Sequence, residues 1–168
     1  VDISDADLDN DTYESAEKQY LQNNIKQSIP SFKSYISSFP NGIHALQANF
    51  YLAQAYFSEG QEKQSIPNYE YVTAKSRNEF TEQSLARLAQ IYLKTKDYAK
   101  TTEVLKRLET EADYPQNVTY AQSNLMKTYY EQKDYTNAVI YADKVLANAK
   151  ADDKVKADAQ IIVARSAI

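Results

Sequence analysis

The sequence predicts an all-α chain of stacked antiparallel helix pairs, and three observations carry that class. The stretch Tyr51-Leu52-Ala53-Gln54-Ala55-Tyr56-Phe57 returns as Arg87-Leu88-Ala89-Gln90-Ile91-Tyr92-Leu93 and again as Asn124-Leu125-Met126-Lys127-Thr128-Tyr129-Tyr130. Its leucines lie 36 and then 37 residues apart, a period that belongs to stacked repeats and not to a single globular core. Inside each unit the apolar residues keep helical spacing. Only two glycines and four prolines occur in 168 residues, which suits long helices joined by short turns.

Composition excludes several classes. Charged residues are 25% and the hydrophobic set 43%, the balance of a folded chain without a membrane span or a long polar tract. The net charge of −4 is concentrated in Asp2, Asp5, Asp7, Asp9 and Asp11. Without them 18 acidic side chains face 19 basic ones, so no basic stripe marks a nucleic-acid footprint. There is no cysteine, hence no disulfide and no thiolate metal site. No apolar run has the length of a spanning helix, so membrane insertion is not expected. The chain starts without methionine, as a processed or excised fragment would.

Residues 1–10 are acidic and lack a sustained period, and a frayed or disordered lead-in is expected there. Asp7-x-Asp9-x-Asp11 resembles the opening of a calcium loop. Thr12 stands where that loop needs glycine and Lys18 where it needs a carboxylate, so helix-start chemistry is the reading. Tyr13, Ala16, Tyr20 and Leu21 form a first stripe, broken at Asn23-Asn24. Ile25, Ile29, Phe32, Ile36 and Phe39 form a second, stopped by Pro40-Asn41-Gly42.

The next pair runs from Ile43 to Ser58, turns at Glu59-Gly60-Gln61 and continues to Lys75. Lys26-Gln27-Ser28-Ile29-Pro30 recurs as Lys63-Gln64-Ser65-Ile66-Pro67, which predicts helices that begin shortly before these prolines or bend at them. Lys96-Asp97-Tyr98 and Lys133-Asp134-Tyr135 predict aspartate-capped starts, with each tyrosine packed back on the preceding helix. Helices are expected over 78–95, 98–111, 118–132 and 135–149, and a last one from Asp152 or Asp153 onward. The units are therefore 11–41, 42–77, 78–115, 116–151 and a partial 152–168.

These words resemble the tetratricopeptide repeat. Leu52, Ala53, Tyr56, Ser65, Tyr69 and Val72 follow its large–small–aromatic and small–aromatic–medium pattern. Leu88, Ala89, Tyr92, Thr101, Leu105 and Leu108 repeat it, as do Leu125, Met126, Tyr129, Ala138, Ala142 and Val145. The period exceeds the family's 34 residues, and Gln19 replaces an aromatic in the first unit. The resemblance implies a right-handed solenoid of about four helix pairs plus an unpaired C-terminal helix. Phe32-x-x-Tyr35-Ile36-x-x-Phe39-Pro40-Asn41-Gly42, followed by Ala45, Ala48 and Tyr51-Leu52-Ala53, is similar to bacterial envelope members. These are the Tol–Pal-associated periplasmic coordinator and outer-membrane assembly lipoproteins, which implies a periplasmic or cell-envelope location.

No constellation for catalysis appears. His44 is the only histidine, with no nucleophile or carboxylate singled out beside it, and is read as a surface or repeat-packing residue. No phosphate loop, metal-ligand spacing or cofactor motif is present, so no catalytic, metal or cofactor residue is assigned. An enzyme is not expected.

What the resemblance implies instead is a concave groove that holds a segment of another protein. The matching positions are Gln47, Phe50, Gln54 and Phe57; then Gln83, Arg87, Gln90 and Lys94; then Tyr120, Asn124, Lys127 and Tyr130. The alternative is a structural segment of a longer repeat protein with no ligand site. On the last helix Val155, Ala159, Ile162 and Ser166 are expected to face the preceding pair. Ala157, Ile161, Ala164 and Ile168 form a second stripe, expected to await a following helix or to be covered by self-association through Ile161, Ala164 and Ile168.

Overall fold

The structure, a computed structural model, describes residues 4–168. Nine α-helices and no strand occur among the described residues. They fall into two compact units, the first ending at Ser84 and the second covering Leu85–Ile168.

The first unit contains α1 (Asp5–Leu21), α2 (Ile25–Ser38), α3 (Ala45–Ser58) and α4 (Glu62–Ala74). Helix α1 begins eight residues before the apolar stripe does, so the frayed lead-in is not found over 5–10; residues 1–3 of that expectation lie outside the described ones. The reason is local. Ser4 accepts the Asp7 amide at 3.1 Å, and Asp5 and Asp7 stand in the first turn, where the helix end is positive. Its core joins Tyr13, Ala16, Phe32, Tyr35, Ala48 and Leu52, with Tyr20, Ile29, Ile36, Phe39, Tyr51 and Tyr56 packed around them. Ring contacts dominate: Tyr13 meets Tyr35 edge-on at 5.7 Å, and Phe50 stacks on Phe80 at 4.3 Å. Such pairs contribute about 0.5–1.5 kcal/mol beyond area burial.

Pro30 and Pro67 stand at the sixth residue of α2 and α4, so both helices start a full turn before their prolines. Proline has no amide to give the carbonyl four residues back, on Lys26 and Lys63. In the same turn Ser28 and Ser65 are buried, and their hydroxyls donate to the carbonyls of Ile25 and Glu62.

The second unit holds most of α5 (Thr81–Thr95), then α6 (Tyr98–Glu111), α7 (Pro115–Glu131), α8 (Tyr135–Ala147) and α9 (Asp153–Ser166). Its largest buried side chains are mostly aliphatic, among them Leu88, Leu105, Leu108, Leu125 and Val145, with Met126. Asp97, Asp134 and Asp152 cap α6, α8 and α9 by accepting the amides of Lys100, Asn137 and Val155. Tyr135 packs back on Tyr130 of α7, edge-on at 5.6 Å, whereas Tyr98 turns to α7 and donates to Glu131 at 3.2 Å. Two boundaries shift by three residues. Pro115, with its φ preset for a helix, begins α7 earlier than Val118. An Asn78 side chain that accepts the Phe80 amide holds a turn where α5 was expected to begin.

The four joints within the helix pairs share one geometry. Asn23, Gly60, Lys96 and Lys133 occupy the same repeat position, with φ of 66°, 77°, 56° and 63°. In each, the next amide reaches back five residues, as from Asp134 to the Tyr129 carbonyl at 2.9 Å. This is a left-handed helix cap, which only Gly60 adopts without steric cost.

Candidate interaction surfaces

The twelve groove positions separate once their contacts are known. Phe50 is 5% exposed and belongs to the core, stacked on Phe80 and tilted against Tyr51. A side chain so enclosed has no face left for a partner, which corrects its assignment as a contact. Gln54 accepts the Tyr69 hydroxyl, Asn124 donates to its own helix at the Tyr120 carbonyl, and Tyr130 leans on Tyr135. Those groups spend part of their bonding capacity internally. Gln47 and Phe57 are half-buried, and the Gln47 amide oxygen is shielded from solvent without a hydrogen bond among the described residues. Gln83, Gln90 and Lys94 are exposed and Arg87 half-exposed, with an Arg87 nitrogen 3.3 Å from Gln90 Oε1. Tyr120 is half-buried, and burial raises its hydroxyl above the ordinary range. Lys127 is exposed and lies 3.5 Å from Asp158 on α9.

Helix α9 divides into a packed face and an exposed one. Ala159 and Ile162 are buried against the preceding pair, with Val155 and Ser166 half-buried beside them. Ala157, Ile161, Ala164 and Ile168 are all exposed, Ile161 by 47% and Ile168 fully. Counted by the 37-residue period, they fall in register with Tyr120, Asn124, Lys127 and Glu131 on α7. The second stripe therefore continues the α7 positions that stay out of the core, of which Lys127 reaches Asp158 on α9. Four-three-four spacing alone does not show this correspondence, and the repeat register does.

A buried polar cluster ties α1, α2 and α3 together in the first unit. Tyr35 donates to Asp9 Oδ1 at 2.6 Å, the Ile43 amide donates to Asp9 Oδ2 at 3.1 Å, and the His44 amide donates to the Tyr35 oxygen at 3.0 Å. The His44 ring stacks on Tyr13 at 4.3 Å and its Nε2 lies 2.7 Å from Asn10 Oδ1. Histidine is thus a packing residue here. Burial, then the bond to Asp9, raises the Tyr35 hydroxyl; burial, then the bond to Glu17, raises Tyr13. Asp9 lies four residues before Tyr13, on its stripe, and that position is the sequence signal that could have found it.

A family model described as a tetratricopeptide repeat-like domain matches residues 3–119. The chain belongs to the tetratricopeptide repeat-like family. Crystal structures of the nearly identical TPR-like repeats of a Podosopora anserina protein, named as a kinesin light chain, share the fold. One matches with a TM-score of 0.56 at 17% identity, and a form with a glutamine-to-methionine substitution matches with 0.57 at 16%. Each covers 98% of this chain and 87% of that one. At such identity the likeness concerns the fold alone. No curated protein matches the sequence. Among the described residues no helix is long and apolar enough to cross a membrane.

Proposed function

We propose that this tetratricopeptide repeat-like chain is a non-catalytic scaffold that holds a segment of a partner protein on the outward positions of its first helices. The supporting observation lies in the second unit, where the same register positions stay out of the core on α7 and α9 while their chemistry changes. They are polar on α7, with Asn124 and Lys127, and aliphatic on α9 and just past its end, with Ile161 and Ile168. A partner segment that presents polar groups to α7 and aliphatic side chains to α9 complements both. Burying an isoleucine contributes on the order of 1.5–3 kcal/mol, so this end would hold most of the affinity.

A second reading rests on the same exposed residues: self-association through Ile161, Ala164 and Ile168. We also place the scaffold in the bacterial envelope, on the strength of the Phe32–Gly42 and Ala45–Ala53 words. Fractionation of cells producing the full-length protein tests that location, and a cytoplasmic fraction overturns it.

For the surface itself, the decisive variant is Ile161→Asp with Ile168→Asp. Light scattering and quantitative partner capture are measured side by side. The scaffold predicts a monomer before and after substitution, with capture reduced at least about tenfold, equivalent to about 1.4 kcal/mol. A dimer that the substitutions dissociate supports self-association. Unchanged mass together with unchanged capture removes both.

A further inference from the structure

A cleft of about 500 Å³ opens in the first unit between α2 and α4, over α3. Leu52, Ile36, Tyr56 and Pro67 give it apolar surface, and Lys33 and Asn68 stand among its polar lining. Neither the Lys33 ammonium nor the Tyr56 hydroxyl has a polar partner among the described residues.

The second unit contains the same place already filled. Seventy-three residues on, two repeat periods, Lys33 becomes Lys106, Tyr56 becomes Tyr129 and Asn68 becomes Tyr141. There the Tyr141 ring stacks on Tyr129 with centroids 5.8 Å apart and planes 19° from parallel. The Lys106 ammonium sits 5.6 Å from the Tyr129 ring centre. Asn68 is too short to reach Tyr56 as Tyr141 reaches Tyr129, and its amide donates instead to Asn49 at 3.0 Å. The cleft in the first unit is the space left by that missing ring.

We propose that this cleft is a second binding site, which takes an aromatic side chain from an acidic segment of a partner protein. The ring stacks on Tyr56 in the place that Tyr141 holds against Tyr129. A neighbouring carboxylate meets Lys33, the one charged side chain among the described residues that line the cleft. Aromatic side chains bury roughly 150–250 Å² each, and an open cleft of this size has room to seat one against its floor. The site is independent of the outward faces of α7 and α9.

The test uses the whole chain, isotope-labelled for nuclear magnetic resonance. It is titrated with an acetylated Glu-Tyr-Glu amide and, separately, with the Lys-Tyr-Lys equivalent. The acidic peptide is expected to cause saturable shifts at Ser37, Gln64 and Asn68, and to bind about three- to tenfold tighter than the basic one. Lys33→Glu, an exposed substitution, should reverse that preference. Asn68→Tyr should fill the cleft from within and abolish the shifts. Ile161→Asp should leave them unchanged, which separates this site from the proposed scaffold face. No saturable shift in the natural sequence overturns the site, as does equal binding by a folded Asn68→Tyr chain. Should Asn68→Tyr fail to fold, an unchanged charge preference in Lys33→Glu overturns it alone.

Discussion

The α2–α3 joint of the first unit and the α8–α9 joint of the second connect equivalent helices by different means. The first buries its polar groups: Asp9 is 5% exposed and shares its carboxyl between the Tyr35 hydroxyl and the Ile43 amide. Gly42 lies so close that a Cβ there would stand 2.5 Å from both Asp9 Oδ2 and the Tyr35 oxygen. The second joint uses a neutral, half-exposed amide. Asn148 donates to Gln122 at 2.9 Å and to Thr119 at 3.3 Å, and accepts the Lys150 amide at 2.9 Å. A buried hydrogen-bonded acid fixes one geometry strictly, because losing any partner leaves a polar group dry. An amide at the surface finds water as a substitute, so its joint tolerates change.

The largest separation between the two joints is expected from Gly42→Ala. The added methyl must displace Asp9 or Tyr35, and about 2–4 kcal/mol of stability should be lost, as for overpacking combined with a broken buried bond. Hydrogen exchange should show the loss around Ile43 and His44 and leave the α8–α9 joint protected. Equal loss at both joints would break the contrast.

Alkaline pH should act in the same direction with less force. Tyr13 and Tyr35 hold their protons above the ordinary value of 10.0. As pH rises past 10 the unfolded chain releases protons that the folded unit keeps. Stability is therefore complete below that pH and falls above it. Urea midpoints at pH 8, 10 and 11 should decline, and decline less steeply in Tyr35→Phe. Parallel slopes in the two proteins would remove Tyr35 from the explanation.

The smallest effect belongs to the second joint. Asn148→Ala removes three hydrogen bonds but leaves groups that water can reach, and about 1 kcal/mol should be lost. A denaturation midpoint that falls as far as that of Gly42→Ala would show the two joints to be equally strict.

Most of the fold was legible because it repeats. Leu52, Leu88 and Leu125 report the period twice, and each reports a core position through ordinary helical spacing. Asp97 and Asp134 identified their own caps, since a cap depends on residues three apart. The start of α1 escaped because a turn stabilised by Ser4 and exposed acids carries little apolar signal.

The sequence by itself determined what is local and periodic: helix pairs, their joints and the aliphatic stripe of α9. Tertiary structure alone decided which side of a helix a given residue serves. Phe50 went to the core because Phe80 of a later segment covers it. The stripe holding Ile161 became an outward face once its register with α7 was known, and Asp9 became a tether because Tyr35 and Ile43 come to it from 26 and 34 residues away. The cleft beside Tyr56 exists because Asn68 does not fill what Tyr141 fills. Spacing fixes an angle around one helix, but burial depends on what the rest of the chain brings to that angle.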